Sequence, residues 1–282
     1  MSLLDRVRSC HRRELSHFRP FCIGPTQLGW VRHDFAEHFR RFPKAFEVAA
    51  NEVRLAPDLD DFDRRSTAVA EAFRALAEEG VVTGWRGEDY AVASGFYDPP
   101  LMRIERAGVP KLGVRAYGVH VNGYVGRGAG LRMWIGRRSK TKPTAPGKLD
   151  HVVAGGQPIG VGLLENVIKE CREEASMPAM LAGRAQPTGF VSYLMENEEG
   201  MRNDILFTYD LELPADFVPL NTDGEIDEFF LWPVERVVQI LADTDEFKFN
   251  VALVIIDFLV RHGLLTPDDS DYIDIVAGLR SA

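Results

Sequence analysis

The chain has 282 residues, of which 45% are hydrophobic and 27% are charged. This composition is that of an ordinary globular protein and excludes a disordered, collagen-like or coiled-coil chain. The 33 basic and 42 acidic residues give a net charge of −9, which argues against a protein whose main partner is nucleic acid. The longest apolar run, at 251–260, is interrupted by Asp257 and is too short for a membrane span.

The cysteines and the N-terminal sequence indicate the cellular compartment of the protein. The three cysteines form no CxxC pair and leave an odd thiol, which indicates a reducing compartment and predicts a cytoplasmic location. The basic N-terminus, MSLLDRVRSCHRREL, could imitate a transit peptide. It lacks an apolar stretch and contains Asp5 and Glu14, so we interpret it as a helix capped near Ser2.

The first hundred residues predict an α+β module. Apolar spacing predicts short helices at 3–15 and from Asp34, and a longer helix at 66–79. Strand patterns follow at 81–85 and 90–93.

Proline and glycine punctuate the chain between residues 99 and 110. We therefore predict two domains, an N-terminal α+β module at 1–107 and a second domain at 108–282.

The second domain alternates between strand and helix patterns. A glycine-rich turn at 123–130 predicts a hairpin between two strands. The order of the elements favours an α/β (α+β) fold with a mixed sheet between helices. The predicted strands lie at 114–122, 131–136, 149–154, 189–195, 204–211 and 229–232, and the predicted helices at 164–175 and 250–264.

Three acidic residues mark the helix at 164–175. Glu170, Glu173 and Glu174 stand at i, i+3 and i+4, so their side chains share one helix face. Like charges this close repel and raise each other's pKa, a cost that a hard divalent cation such as Mg²⁺ or Mn²⁺ removes. The alternative is a solvated acidic face, balanced by Lys169 and Arg172.

The segment 155–177, GGQPIGVGLLENVIKECREEASM, resembles the Nudix box, G-x5-E-x7-R-E-U-x-E-E-x-G-U with U apolar. The resemblance implies a Nudix α/β/α sandwich with a mixed sheet, and metal-dependent hydrolysis of a diphosphate linked to another moiety. Three positions depart from the box: its leading Glu is Val161, its Arg is Lys169 and its late Gly is Ser176. If the two initial glycines are aligned as a pair, Glu165 supplies the missing acid.

Further segments narrow the resemblance. LDHVVAGGQP, ENVIKECREEA, DGEIDEFFLWP and FKFNVALVIIDFLVRHG are similar to the Nudix branch allied to fungal and plant thiamine pyrophosphokinase-associated proteins, which also carry an N-terminal module. This branch implies removal of phosphate from thiamine diphosphate, or from its oxo and oxy forms, to give a monophosphate. Two alternatives stay open: hydrolysis of ADP-ribose, nucleotide sugars or dinucleotides, and a non-catalytic ligand-sensing module. Nudix domains often form homodimers.

The resemblance also implies roles for individual residues. The catalytic group comprises Glu170, Glu173, Glu174 and Lys169, with Glu173 as a metal ligand or as the base that activates water. The implied metal ligands are the carbonyl of Gly155 and the carboxylates of Glu170, Glu173, Glu174 and Glu225, with Glu228 as the rival of Glu225.

A basic segment, RRSKTKPTAPGK at 137–148, precedes the box. It could steer an anionic small-molecule diphosphate into an otherwise acidic protein, or it could be a solvated loop. Together with the box glycine Gly156, Arg137 and Arg138 are the predicted substrate-binding residues.

The remaining candidate functional residues are aromatic residues and histidines. Trp85, Tyr90 and Phe96 could stack an aromatic base, although core packing is the interpretation that we favour. His120 and His151 lie on strand-like segments, and we interpret them as structural.

Overall fold

The computed structural model describes residues 2–142, 144–222 and 224–282. Its helices are Leu3–Ser9 (α1), His33–Phe39 (α2), Phe62–Glu78 (α3), Val109–Leu112 (α4), Leu163–Ala175 (α5), Ala179–Ala182 (α6), Val234–Asp243 (α7), Phe249–Arg261 (α8) and Tyr272–Gly278 (α9). Its strands are Phe18–Ile23 (β1), Thr26–Arg32 (β2), Phe46–Val48 (β3), Val53–Leu55 (β4), Asp89–Val92 (β5), Met102–Glu105 (β6), Arg115–Val125 (β7), Arg132–Arg138 (β8), Leu149–His151 (β9), Val153–Gly156 (β10), Gln186–Asn197 (β11), Gly200–Glu212 (β12) and Ile226–Pro233 (β13).

A large mixed sheet organises the C-terminal part. Its strands follow the order β11-β12-β7-β8-β13, while β10 pairs with β7 and β9 pairs with β8. The β7–β12 pair is parallel and the other pairs are antiparallel. Successive strand side chains point to opposite faces, so Val121 of β7 packs with α5 while Tyr124 packs with α8. This α/β/α sandwich confirms the predicted fold class.

The N-terminal part has its own sheet and core. The sheet order is β2-β1-β4-β3, and β5 and β6 form a separate hairpin. Phe21, Phe39 and Phe73 are buried in the core between this sheet, α2 and α3. These features confirm an additional α+β module, whereas a boundary between residues 107 and 108 stays a prediction.

Helix α1 contributes to the C-terminal core, although it begins the chain. Its buried Leu4 and Val7 belong to the same apolar cluster as Val251 and Ile255 of α8. Ser2 caps the N-terminus of the helix, because its hydroxyl accepts a hydrogen bond from the backbone N–H of Asp5. The first helix therefore links the N-terminus to the large sheet.

Most strongly periodic segments form the predicted elements. The predicted hairpin is β7 and β8, and the helices predicted at 66–79, 164–175 and 250–264 are α3, α5 and α8 with shifted ends.

The strand predicted at 81–85 is wrong. The backbone N–H groups of Val81 and Val82 donate to the carbonyl of Leu76, and Gly80 has φ +74°, so this segment closes the C-terminus of α3. The partner of β5 is instead β6.

None of the helices in the described parts of the chain is long and apolar enough to cross a bilayer.

Candidate active site

Helix α5 carries the acidic residues on a partly buried face. Glu170 and Glu174 are buried, whereas Glu173 is half-exposed. On the core side, Val167 and Cys171 pack beneath the large sheet, which fixes the rotation of the helix. The three glutamates share one helix face, but their side chains therefore lie in different environments.

Strand β10 lies directly against these carboxylates. The backbone N–H of Ala154 donates to Oε2 of Glu174 at 2.8 Å. A Cβ atom at Gly155 would stand 2.2 Å from Cδ of Glu170, so glycine is required for this close approach. Asn166 of α5 fixes the same strand, because its Nδ2 donates to the carbonyl of Gly156 at 2.7 Å.

A cavity of about 460 Å³ opens beside this junction. Its lining combines carboxylates with many cationic side chains, as expected for a site that holds both a metal and phosphate groups. The carboxylates of the predicted site are Glu170, Glu173, Glu174 and Glu225, and the cationic residues are Arg86, Arg106, Lys111, Arg138, Lys142, Lys169, Arg202 and Lys248. Gly155 and Gly156 also line it.

The carboxylates are only partly neutralised by these cations. Burial raises the pKa of Glu170, against the opposing charge of Lys169, whose Nζ donates to Oε1 of Glu170 at 3.0 Å. Burial also raises the pKa of Glu174, to about 8. For Glu225, burial is outweighed by its ion pair with Lys142, which lowers the pKa.

This donor set fits a hard divalent cation. Four carboxylates and a glycine backbone line one cavity, and oxygen is the ligand that Mg²⁺ prefers. A cation there would favour the charged form of the buried glutamates, whose pKa values are raised chiefly by burial. The chemistry of these residues therefore suits a divalent cation, although the group of potential ligand atoms that lie within 4.8 Å of one another in the described residues is His120, Asp150 and His151.

Comparison with known proteins decides the family. The chain is 43% identical over 282 residues to "Nudix hydrolase 24, chloroplastic" of Arabidopsis thaliana, covering 99% of this chain and 77% of the relative. It is 41% identical over 288 residues to "Nudix hydrolase 20, chloroplastic" of the same plant, covering 98% and 77%. The chain belongs to the Nudix hydrolase family. Both the predicted family and the prediction of an enzyme are confirmed, and hydrolases of this family use a divalent metal ion.

Two further similarities concern parts of this Nudix hydrolase. A family model described as a domain of unknown function, DUF4743, matches residues 2–116. The crystal structure of a MutT protein from Methanosarcina mazei Go1 aligns with 51% of this chain and 92% of its own, at 18% identity and a TM-score of 0.40.

The departures from the Nudix box have structural counterparts. Val161 lies in the loop before α5, and its carbonyl accepts a hydrogen bond from Nε2 of Gln157 at 2.6 Å. Glu165 caps α5 by accepting from the N–H of Gly162 at 3.2 Å, and it lies outside the cavity lining. Glu165 thus caps the helix that carries the other glutamates, and its role as the missing box acid stays a prediction.

The two predicted substrate-binding arginines lie in different places. Arg138 lines the cavity, but its Nη1 donates to Oδ2 of the buried Asp150 at 2.8 Å. Arg137 lies outside the cavity lining and donates to Oε2 of Glu246 at 2.8 Å. Glu228, the rival of Glu225, is exposed on β13 and also lies outside the lining.

The N-terminal module supplies cavity residues that the sequence prediction missed. Arg86, Glu88 and Arg106 line the cavity beside Tyr90. Arg202 and Lys248 come from β12 and from the residue before α8. Isolated charged residues of this kind carry no motif, so only the tertiary arrangement reveals them.

The three candidate aromatic residues also lie in different surroundings. Tyr90 reaches the cavity, while Trp85 is 40% exposed outside its lining. Phe96 packs edge-on against Tyr117 and Phe207, with ring centroids 4.8 and 4.9 Å away.

A buried polar cluster borders the cavity, and His120 is part of the cavity lining. Nδ1 of His120 is 3.0 Å from Nδ1 of His151, and burial lowers the pKa of both rings, that of His151 to about 4. One neutral ring must therefore donate to the other. Asp150 completes a group of potential metal ligands, but Arg138 and Lys248 already balance its charge, consistent with a structural role for the histidines.

Proposed function

We propose that this protein is a Mg²⁺-dependent hydrolase that cleaves the phosphoanhydride bond of a small-molecule diphosphate; Mn²⁺ is the alternative metal. The observation that carries the proposal is the convergence of the α5 glutamates, Glu225 and Gly155 on one cation-lined cavity. A lone acidic helix face would not bury Glu170 and Glu174 against a glycine strand.

The chain supplies the ligands and the base for this reaction. Glu170, Glu174, Glu225 and the carbonyl of Gly155 would hold Mg²⁺, which when bound stabilises negative charge on the phosphate oxygens. Glu173 is half-exposed and accepts the proton of the water that attacks phosphorus. Lys169, 3.5 Å from Oε2 of Glu173 and bonded to Glu170, positions both carboxylates.

Cationic side chains of the cavity bind the substrate phosphates. Lys248 is buried, and the burial lowers its pKa to about 8, so desolvation makes this ammonium a favourable partner for an anion. Its nearest acidic group, Oδ2 of Asp150, is 3.8 Å away and is shared with Arg138.

Within this class we propose thiamine diphosphate or its oxidised analogues, which lose one phosphate to give the monophosphate. The proposal rests on the similarity to the thiamine-associated branch. It is supported by the presence of Tyr117, Phe249 and Asp204 in the cavity lining, because aromatic rings and a carboxylate suit a cationic heteroaromatic ring.

We also propose the division into residues 1–107 and 108–282, and a cytoplasmic location. The latter is supported by the three cysteines, which are all free and buried, as in a reducing compartment. A homodimer stays a prediction.

The test is product analysis with Mg²⁺ and a panel of thiamine diphosphate, its oxidised analogues, ADP-ribose and nucleotide sugars. We expect monophosphate and phosphate from the thiamine compounds. Glu174→Gln should reduce turnover by at least about 100-fold with the fold intact. The matched control is Glu165→Gln on the same helix, which should retain activity.

Each other outcome selects an alternative. Cleavage of ADP-ribose or sugars instead would keep the Nudix chemistry and reject the thiamine assignment. Absence of turnover with Mg²⁺ and Mn²⁺ would favour a ligand-sensing Nudix module, for which Val161 at the leading acidic position of the box is the supporting observation.

A further inference from the structure

The N-terminal module forms one wall of the cavity through its β5–β6 hairpin. The backbone carbonyl of Asp89 in β5 accepts a hydrogen bond from the N–H of Ile159, in the box loop, at 2.9 Å. This bond fixes the hairpin against the loop that precedes α5. The hairpin and the residues that follow it contribute Tyr90 and Arg106 to the cavity lining.

Tyr90 has an apolar ring and a polar tip in different surroundings. Its ring belongs to the core of the module. Its hydroxyl lies against β10, because a Cβ atom at Gly156 would stand 1.5 Å from Oη. The residue is therefore anchored by the module but directed at the strand that carries Gly155.

Tyr90 is buried as a residue, yet it lines the cavity, and its hydroxyl is the polar group that it offers to a ligand there. A hydrogen bond from this hydroxyl to a charged group of a ligand would contribute to the binding free energy. Burial raises the pKa of Tyr90, so the hydroxyl stays protonated and is available as a donor. Phosphate oxygens accept hydrogen bonds, which makes them suitable partners.

Arg106 adds a positive charge at the same place. Its guanidinium carbon is 5.9 Å from the centroid of the Tyr90 ring, and its Nη1 donates to Oε2 of Glu88 at 3.0 Å. The ion pair orients the guanidinium and leaves its other donors for a ligand. A hydroxyl donor beside an oriented guanidinium is an arrangement that recognises phosphate.

We propose that the N-terminal module completes the substrate site of this hydrolase, with Tyr90 and Arg106 binding the diphosphate group of the substrate. The inference rests on the proposed function, because it takes the cavity to be a diphosphate site. It assigns a role in substrate binding to the part of the chain that matches a domain of unknown function. Tyr90 and Arg106 determine affinity for the diphosphate, while the α5 glutamates carry the metal.

The test compares Tyr90→Phe with Tyr97→Phe, a control in the same module whose side chain is 88% exposed. The probe is methylenediphosphonate, a diphosphate analogue that is not hydrolysed, titrated calorimetrically with Mg²⁺ into the full-length protein. We expect Tyr90→Phe to weaken binding about tenfold or more, because a hydrogen bond to a charged group is lost, and to raise KM for the substrate. Tyr97→Phe should change neither.

A second set of variants tests the guanidinium group of Arg106. Arg106→Gln should weaken binding of the analogue by about 10-fold to 100-fold. Arg106→Lys should bind the analogue more tightly than Arg106→Gln but less tightly than the wild type. The control is Arg103→Gln on β6, whose side chain is 54% exposed and lies outside the cavity lining.

Stability distinguishes a binding role from a structural one. Without ligand, Tyr90→Phe should melt close to the temperature of the wild type, because it keeps the ring in the core of the module and removes only the hydroxyl. A lower melting temperature combined with unchanged binding of the analogue would overturn the proposal.

The two proposals can fail separately. If the wild type hydrolyses the substrate and Tyr90→Phe retains its KM and affinity, the inference is wrong and the proposed function stands. If the wild type binds methylenediphosphonate through Tyr90 but hydrolyses nothing in the panel, the binding site stands and the catalytic proposal is wrong. If the wild type hydrolyses a substrate of the panel but does not bind the analogue, the inference is wrong and the proposed function stands; if it neither binds the analogue nor hydrolyses any substrate, both are wrong.

Discussion

The three glutamates of α5 show how position on a helix differs from environment. The sequence places Glu170, Glu173 and Glu174 on one face, but only contact with β10 decides that the first and last are buried. Burial then separates their electrostatics, since the pKa of Glu174 is raised to about 8. The same contact requires glycine at position 155.

The raised pKa predicts that Mg²⁺ affinity depends on pH. In the metal-free protein Glu174 holds a proton below about pH 8, and bound metal must displace it. Affinity should therefore rise with pH, by up to about tenfold per unit, and level off above pH 8. Calorimetric titration of Mg²⁺ between pH 6 and 9 measures this slope.

Two variants control this measurement. Glu174→Gln should bind Mg²⁺ weakly and lose most of the slope, whereas Glu165→Gln should retain it. A wild-type affinity that stays constant from pH 6 to 8 would show that Glu174 is already ionised without metal.

The same shift affects stability without metal. Because the folded-state pKa of Glu174 lies above the ordinary 4.5, the folded state binds more protons than the unfolded state between pH 4.5 and 8. The resulting stabilisation is complete at lower pH and is lost as pH rises through 8. In EDTA at pH 8, Glu174→Gln should therefore melt at a higher temperature than the wild type.

At the scale of elements, the sequence patterns correctly predicted those helices and strands that are determined by interactions between residues close in the chain. The glycine-rich turn predicted the β7–β8 hairpin, and apolar periodicity predicted α3 and α5, because these elements are specified by short-range spacing and turns. The wrong strand at 81–85 has a strand-like composition, but its amides complete the C-terminus of α3. Composition cannot show which acceptor a backbone N–H will find.

The sheet of the N-terminal module lay beyond the sequence prediction. Its strands β3 and β4 have three residues each, too few for a clear alternating pattern. The acidic half of the site was predicted because one helix carries it at fixed spacing. The cationic half was largely missed because its residues come from separate elements that meet only through long-range packing.

Helix α1 gives a testable prediction about core packing. Leu4 is buried in the cluster that includes α8, so Leu4→Ala should lower the free energy of unfolding by about 2–4 kcal/mol. The control is Leu15→Ala, whose side chain is 41% exposed and which should cost less than about 1 kcal/mol. Urea unfolding measures both, and equal effects would show that α1 does not stabilise the core.

At the scale of the molecule, the two parts are connected by more than the chain between them. The C-terminal core includes Leu4 and Val7 of α1 and Cys10, the residue that follows this helix. In the opposite direction, Val114 and Ala116 extend the apolar core of the module into β7. The cavity lies where these parts meet, so its shape depends on both of them.

This mutual packing predicts that residues 108–282 are not an independent hydrolase. The fragment loses α1 from its core and the β5–β6 wall from its cavity, and it exposes the apolar residues that face the module. We expect the melting temperature to fall from the full chain to a variant lacking residues 2–10, and further to the 108–282 fragment. Turnover by the fragment should be lost even at high Mg²⁺, because the metal cannot replace Tyr90 and Arg106. A fragment that melts and hydrolyses like the full chain would mean that the module is an independent addition to a complete Nudix domain.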